Sequence, residues 1–269
     1  MLRWFSIFSA TVVLTAACTV AAPPPGEFAA SPGANAAPSP LPSVGAPLRP
    51  PSPAPVATAS VVPTAAPQAT PSVSGVNLRV PFAPQAPYAV WDDLHNEACE
   101  EASMLLVEAY FRGRPLNAHL MEQGILDLVR WQTQNGYSVD VTAAETVKIL
   151  TDYFHLPARL LFNPTVSSIR QELDAGHVVI MPAAGRRLGN PYYRQPGPLY
   201  HMLVIRGYDP ARDEFITNDP GTKRGEAYRY KTSVLLSANH DWPKPGKTKE
   251  DVSDAEMEAG QKVMMVVGK

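Results

Sequence analysis

The sequence predicts an α+β fold, helices first and an antiparallel β-sheet after them, confined to residues 76–269. Three observations carry this. Apolar residues recur at helical spacing between residues 97 and 154, whereas after residue 177 they form short runs separated by turn residues. The chain has 269 residues and 29 prolines, of which 15 fall in the first 75. That segment carries only Arg3, Glu27 and Arg49 as charges, which leaves 21 basic and 24 acidic residues, a net charge of −3, on residues 76–269. A mildly acidic domain lacks the basic stripe that a nucleic-acid binder needs.

Residues 1–17 read as a signal peptide: Met1-Leu2-Arg3 is a short positive start, and Phe5 to Ala17 is an apolar run too short for a comfortable membrane span. The run ends in Leu14-Thr15-Ala16-Ala17-Cys18, which resembles a bacterial lipobox, with Thr15 where leucine is commoner. That resemblance implies lipidation of Cys18, and a multiply acylated cysteine would anchor stably. An ordinary cleaved signal with Cys18 incidental, or a retained N-terminal helix, are the other readings. Residues 18–75 then form a Pro/Ala/Ser-rich tether that buries too little apolar surface to offset its ordering entropy.

Within residues 76–269 the first helix is expected at about 97–112, with Asn96 as its N-cap and Gly113-Arg114-Pro115 as its stop. Helices follow at about 116–134 and 142–154, broken at Gly136-Tyr137, and a short one near 166–175. Strands are expected near 177–182, 199–208, 213–219, 226–230 and 262–267, with 243–256 as a surface loop.

Cysteine usage gives the first chemical clue, because the chain has only Cys18 and Cys99. With Cys18 lipidated, Cys99 is an unpaired thiol in an exported protein and is worth flagging as reactive. A buried inert cysteine, or a Cys18–Cys99 disulfide, are the alternatives. Cys99 lies in the first turn of its helix, where the dipole favours thiolate, while Glu100 and Glu101 oppose it.

A base for this thiol is available downstream. Leu199 to Tyr208 and Glu214 to Asp219 read as the two strands of a hairpin. A two-residue turn at Pro210-Ala211 sets Asp209 opposite Arg212 and brings His201 within one residue of facing Asp219. Alternation places His201, Leu203 and Ile205 on one face, and Phe215, Thr217 and Asp219 on one face. Whether the two faces coincide depends on register or a bulge. Cys99, His201 and Asp219 together have the logic of a thiol protease: the imidazole takes the thiol proton, the carboxylate orients the imidazole, and the thiolate attacks a carbonyl.

Three blocks in this order resemble the C39-like cysteine peptidases, a papain-like group. They are Val80 to Pro87 with Trp91 and Ala98 to Ser103, then Gly197 to Asp209, then Asn218 to Thr222. The resemblance covers about residues 77–269 and implies a papain-like fold with Cys99 as nucleophile, His201 as general base and Asp219 as orienting acid. It also implies that Gln85 is the oxyanion-hole side chain, with Asn218 the other candidate orienter. Residues 184–198 form a long loop leading into the His201 strand. It is either a solvated connector or a set of substrate contacts, with Arg186, Arg187, Tyr192, Tyr193 and Arg194 as candidates, while Trp91 either packs near the cleft or staples the entry segment.

The expectation is therefore an exported, membrane-tethered cysteine peptidase of the bacterial cell envelope, or secreted, acting on a peptide or protein substrate. No metal, cofactor or nucleic acid is expected: the histidines show no ligand spacing, and phosphate-binding and dinucleotide motifs are lacking. A non-catalytic binding module with the same cleft, or a thiol amidase or acyltransferase on a non-protein substrate, are the alternatives.

Overall fold

A computed structural model describes residues 74–268. The signal peptide, Cys18 and almost all of the tether lie outside them. A short strand β1 (Val76–Asn77) is followed by four helices, α1 (Asp93–Asn96), α2 (Cys99–Arg112), α3 (Ala118–Gln134) and α4 (Ala143–Asp152). Strand β2 (Ala158–Phe162), helix α5 (Val166–Asp174), and strands β3 (Val178–Ala184), β4 (Tyr200–Asp209), β5 (Glu214–Asn218) and β6 (Tyr228–Lys231) come next. The described chain closes with α6 (Thr232–Ala238), α7 (Asp254–Glu258) and β7 (Val263–Val267). The strands form one wholly antiparallel sheet in the order β2-β7-β3-β4-β5-β6, with β1 also paired to β4. Among the described residues no helix is long and apolar enough to cross a membrane.

Both faces of the sheet are covered. Val178, Ile180, Met202, Val204, Met265 and Val267 pack beneath α2, α3 and α4. The alternate residues Val179, Met181, Leu203, Ile205, Met264 and Val266 pack with Ile169 and Leu173 of α5 and Leu235 of α6. This is why β3 and β7 are apolar at every position rather than at every second one. Ser103 of α2 donates to the Met202 carbonyl (3.1 Å), fixing the helix that opens with Cys99 against the strand that carries His201.

Several expectations are corrected. Asn96 does not cap the Cys99 helix: it ends α1, which Asp92 caps by accepting from the His95 amide, and α2 begins from Ala98 with no side-chain cap. The segment 243–256 is not merely a surface loop, because Val252 is buried and α7 starts from a Ser253–Glu256 capping box that places Met257 in the core. The hairpin turn is wider than two residues: Asp209 pairs with Glu214, and Asp213 takes the left-handed conformation (φ 51°) that aspartate tolerates.

The register then shifts once. Gly207 opposes Ile216, but Ile205 opposes Thr217, so Arg206 is an extra residue on β4. Because side chains alternate, this single bulge reverses which face of β5 meets which face of β4. It puts Asp219, just past β5, on the face of His201 and diagonal to it rather than directly opposite. Asn218 goes to the other face, where Nδ2 donates to the carbonyls of Val80 (3.0 Å) and Pro81 (3.1 Å) and Oδ1 accepts from the Ala227 amide (3.1 Å). Arg206 completes the clamp by donating to the carbonyls of Leu78 and Val80. Asn218 therefore fastens the segment leading to Gln85, and it is not the residue that meets His201.

Asn218→Ala strips hydrogen bonds from three backbone groups, one of them fully buried, and is expected to cost about 2–4 kcal/mol. Denaturant unfolding of the two proteins measures this, and a loss below about 0.5 kcal/mol would remove the clamp from the account.

Candidate active site

The Asp219 carboxylate is fully buried and accepts five hydrogen bonds. Oδ1 takes His201 Nε2 (2.9 Å) and the Gly221 amide (3.0 Å). Oδ2 takes the Tyr193 hydroxyl (2.5 Å), the Tyr230 hydroxyl (2.7 Å) and Asn190 Nδ2 (3.1 Å). Burial alone would push this carboxyl up, but the His201 charge and the hydrogen bonds from His201, Tyr193 and Tyr230 outweigh it and hold the group below its ordinary value. Gly221 is required where it stands, since a Cβ there would lie 2.8 Å from the His201 ring. His201 Nδ1 makes no hydrogen bond within the described residues, and the ring lies along the same cleft as Cys99.

Tyr193 lines the cleft and has a second engagement besides. It is buried, its hydroxyl is on Asp219, and its ring stands edge-on to His201 at 5.3 Å. It supports the His201–Asp219 pair from the cleft wall. Tyr230 and Asn190 are also part of this arrangement and have no sequence signal, because a tyrosine in an edge strand and an asparagine in a Gly/Pro-rich loop are ordinary residues there.

Cys99 opens α2, and its backbone N–H has no backbone partner. At rest its Sγ donates to Glu100 Oε2 at 2.9 Å. Burial pushes the thiol well above its usual value, and the charge and hydrogen bond of Glu100, then the charge of Glu101, add to this. Of the two opposing influences visible in the sequence, burial and the acidic neighbours win over the helix dipole. Behind the thiol sit three carboxyls, Glu100, Glu101 and Asp140, all buried. Burial raises Glu100 well above its ordinary value and takes Glu101 and Asp140 to about 7.

The cleft has a volume of about 940 Å³. Gln85 lies in its wall beside Cys99, donating through Nε2 to the His95 carbonyl (2.8 Å) and more distantly to that of Asn96 (3.4 Å). Its amide is thus anchored to the backbone just before α2, with the second N–H held only by the long contact. Trp91 and Tyr192, both 45% exposed, and Arg194 line the cleft. Tyr192 stands edge-on to Tyr228 and under the Arg224 guanidinium. Arg186 also lines the cleft, where it pairs with Asp254, while Arg187 pairs with Glu258 of α7. Among the described residues no group of three or more side chains is placed to hold a metal ion.

Fold and cleft together define a peptidase-like α+β domain, with helices packed on an antiparallel sheet and a thiol-bearing helix at the cleft wall. Residues 77–249 match the Peptidase_C39 like family, and the chain belongs to it. Among solved structures, a provisionally assigned C39-like peptidase from Bacillus anthracis is similar at 14% identity with a TM-score of 0.47, over 73% of this chain and 98% of that one. No curated protein matches the chain.

The two groups of carboxyls predict opposite pH dependences. Asp219 binds protons less readily folded than unfolded, so its contribution to stability is present at neutral pH and lost as pH falls through its depressed pKa. Glu101 and Asp140 are raised to about 7, so folding is favoured while they are protonated and weakened as pH rises from about 4 to 7. In unfolding titrations Asp219→Asn should flatten the acid limb, and Glu101→Gln should flatten the decline toward neutrality. Unaltered curves would contradict both assignments.

Proposed function

We propose that this chain is a cysteine peptidase that hydrolyses peptide or amide bonds through Cys99, His201 and Asp219. The observation that supports this most is the 2.9 Å hydrogen bond from His201 Nε2 to a carboxylate held by four further donors. It fixes the ring so that Nδ1 is the nitrogen left for Cys99. In this reading substrate draws the thiol from Glu100 toward His201. Nδ1 takes the thiol proton as Sγ bonds to the carbonyl carbon, and the carbonyl electrons move onto its oxygen. The Cys99 N–H and the loosely held N–H of Gln85 stabilise that oxyanion. The tetrahedral species collapses, the amine leaves with the proton from the imidazolium, and water activated by His201 hydrolyses the thioester. Trp91, Tyr192 and Arg194 then flank the substrate.

The test pairs turnover with thiol chemistry. Cys99→Ala and His201→Ala should each lower peptide hydrolysis by about a thousandfold or more. Iodoacetamide alkylation of wild-type Cys99 should be slow at neutral pH and rise only above the free-thiol range of about 8.5. Glu100→Gln should shift that rise to lower pH by removing the largest raising charge. Fast alkylation at pH 7 in the wild type would overturn the resting thiol described above. A non-catalytic binding module is the second reading, favoured by the thiol's engagement with Glu100. It is the one left standing if wild type and Cys99→Ala are equally inactive on every peptide tried.

We also infer, from the Leu14-Thr15-Ala16-Ala17-Cys18 sequence, that a signal of residues 1–17 is removed and that lipid on Cys18 holds residues 76–269 off a bacterial membrane through the 18–75 tether. Labelled palmitate should enter the wild-type chain expressed in bacteria and not the Cys18→Ser variant. Equal labelling of both would end this reading.

A further inference from the structure

Helix α1 is a single turn, too short to hold its shape unaided, so its geometry is set by what it is tied to. One side chain makes those ties. The imidazole of His95 is buried, with Nδ1 2.7 Å from Asp92 Oδ1 and Nε2 3.0 Å from Glu122 Oε2 on α3. Asp92 Oδ1 also accepts from the His95 amide (2.9 Å), so ring and backbone of one residue are pinned to the same cap. Glu122 stands beside Met121 and one turn before Ile125, both fully buried, which makes α3 the fixed support. The His95 carbonyl is in turn the near acceptor of Gln85 Nε2. Gln85 Oε1 is buried and has no hydrogen-bond partner among the described residues, so the carboxamide is oriented through its nitrogen, by the carbonyls that end α1. The Gln85 backbone N–H donates to the Pro220 carbonyl (2.9 Å), next to Asp219. Its main chain is therefore held from the His201 side and its amide from α1.

We propose that His95 and Glu122 are positioning residues for the oxyanion site, acting on Gln85 through the His95 carbonyl. The inference rests on the peptidase reading, in which Gln85 Nε2 meets the oxyanion. Neither His95 nor Glu122 borders the cleft, so neither touches the substrate. Glu122 holds the ring, the ring holds the turn, and the turn sets where the carboxamide points beside Cys99. A donor fixed before substrate arrives needs no reorganisation as charge develops on the carbonyl oxygen, and this is the source of its effect. Loosening the turn therefore slows C–S bond formation, while the ground-state contacts made by Tyr192 and Arg194 remain.

Two readouts on the full chain test this, with Glu122→Ala and His95→Ala as the variants. In nitrogen-15 spectra the Gln85 side-chain amide signals should move toward those of a free carboxamide in both, while those of Asn218, clamped elsewhere, stay in place. With fluorescently labelled casein as substrate, kcat should fall about tenfold or more and KM change by less than about threefold. Glu122→Gln should stay within about threefold of wild type and leave the Gln85 signals unmoved, because a carboxamide meets Nε2 as donor or acceptor. Were His95→Ala to misfold, Glu122→Ala still decides, since alanine suits the helix at this partly exposed position. Unmoved Gln85 signals in Glu122→Ala, an unchanged kcat, a loss confined to KM, or a Glu122→Gln variant as impaired as Glu122→Ala would overturn the positioning role. Moved Gln85 signals with no hydrolysis of casein or of any peptide by the wild type would defeat the peptidase reading alone.

Discussion

An ionised carboxylate removed from water must recover its lost hydration from fixed donors, and Asp219 does so with partners from four places in the chain. Asn190 and Tyr193 come from the loop before β4, His201 from β4, Gly221 from the turn after β5, and Tyr230 from β6. Folding of the loop, the hairpin and the edge strand are thereby made mutually dependent. The imidazole inherits its orientation from this convergence, since the carboxylate has no freedom to follow the ring elsewhere. One extra residue, Arg206, decides which side of the sheet receives the carboxylate at all.

The two ends of the proposed reacting pair live in opposite electrostatic surroundings. The carboxylate beside His201 is ringed by donors, whereas the thiol of Cys99 is backed by Glu100, Glu101 and Asp140. At rest the sulfur is neutral and the ring is positioned. In the proposed reaction, ionisation of the thiol is then tied to a rearrangement that substrate brings about, not to a standing ion pair. A neutral thiol resists oxidation better than a thiolate.

Much of the architecture could be read from periodicity. The helices near 97–112, 116–134 and 142–154 and the strands after 177 lie within a few residues of their expected bounds, because each has an apolar face that must be covered. Short or weakly apolar elements escaped: β2 follows a proline with a charged residue in its midst, and α7 offers only Met257 to the core. At the site, Cys99, His201 and Asp219 were identifiable as residue types in sequence order. Their geometry was not, because the wider turn held by Asp213 and the bulge at Arg206 are each changes of one or two residues that no apolar pattern records. The bond from Tyr193 to Asp219 was not legible, since nothing in a loop sequence tells which tyrosine turns its hydroxyl inward. The raised thiol depended on burial, which adjacent glutamates alone do not reveal.

Strand β7 lies between β2 and β3, and those two strands touch one another through it alone. Its pairing with Ala158–Phe162 closes a loop of about a hundred residues, among the slower events available to a folding chain. Until Val263–Val267 docks, the apolar backbone edge of Val178–Ile180 is unpaired and adhesive. Helices and hairpin can assemble earlier from local contacts, but the sheet remains split into two rafts. The sulfur and the imidazole both belong to the larger raft, so the closing step sets how long the chain stays vulnerable to aggregation and proteolysis rather than whether the cleft can form.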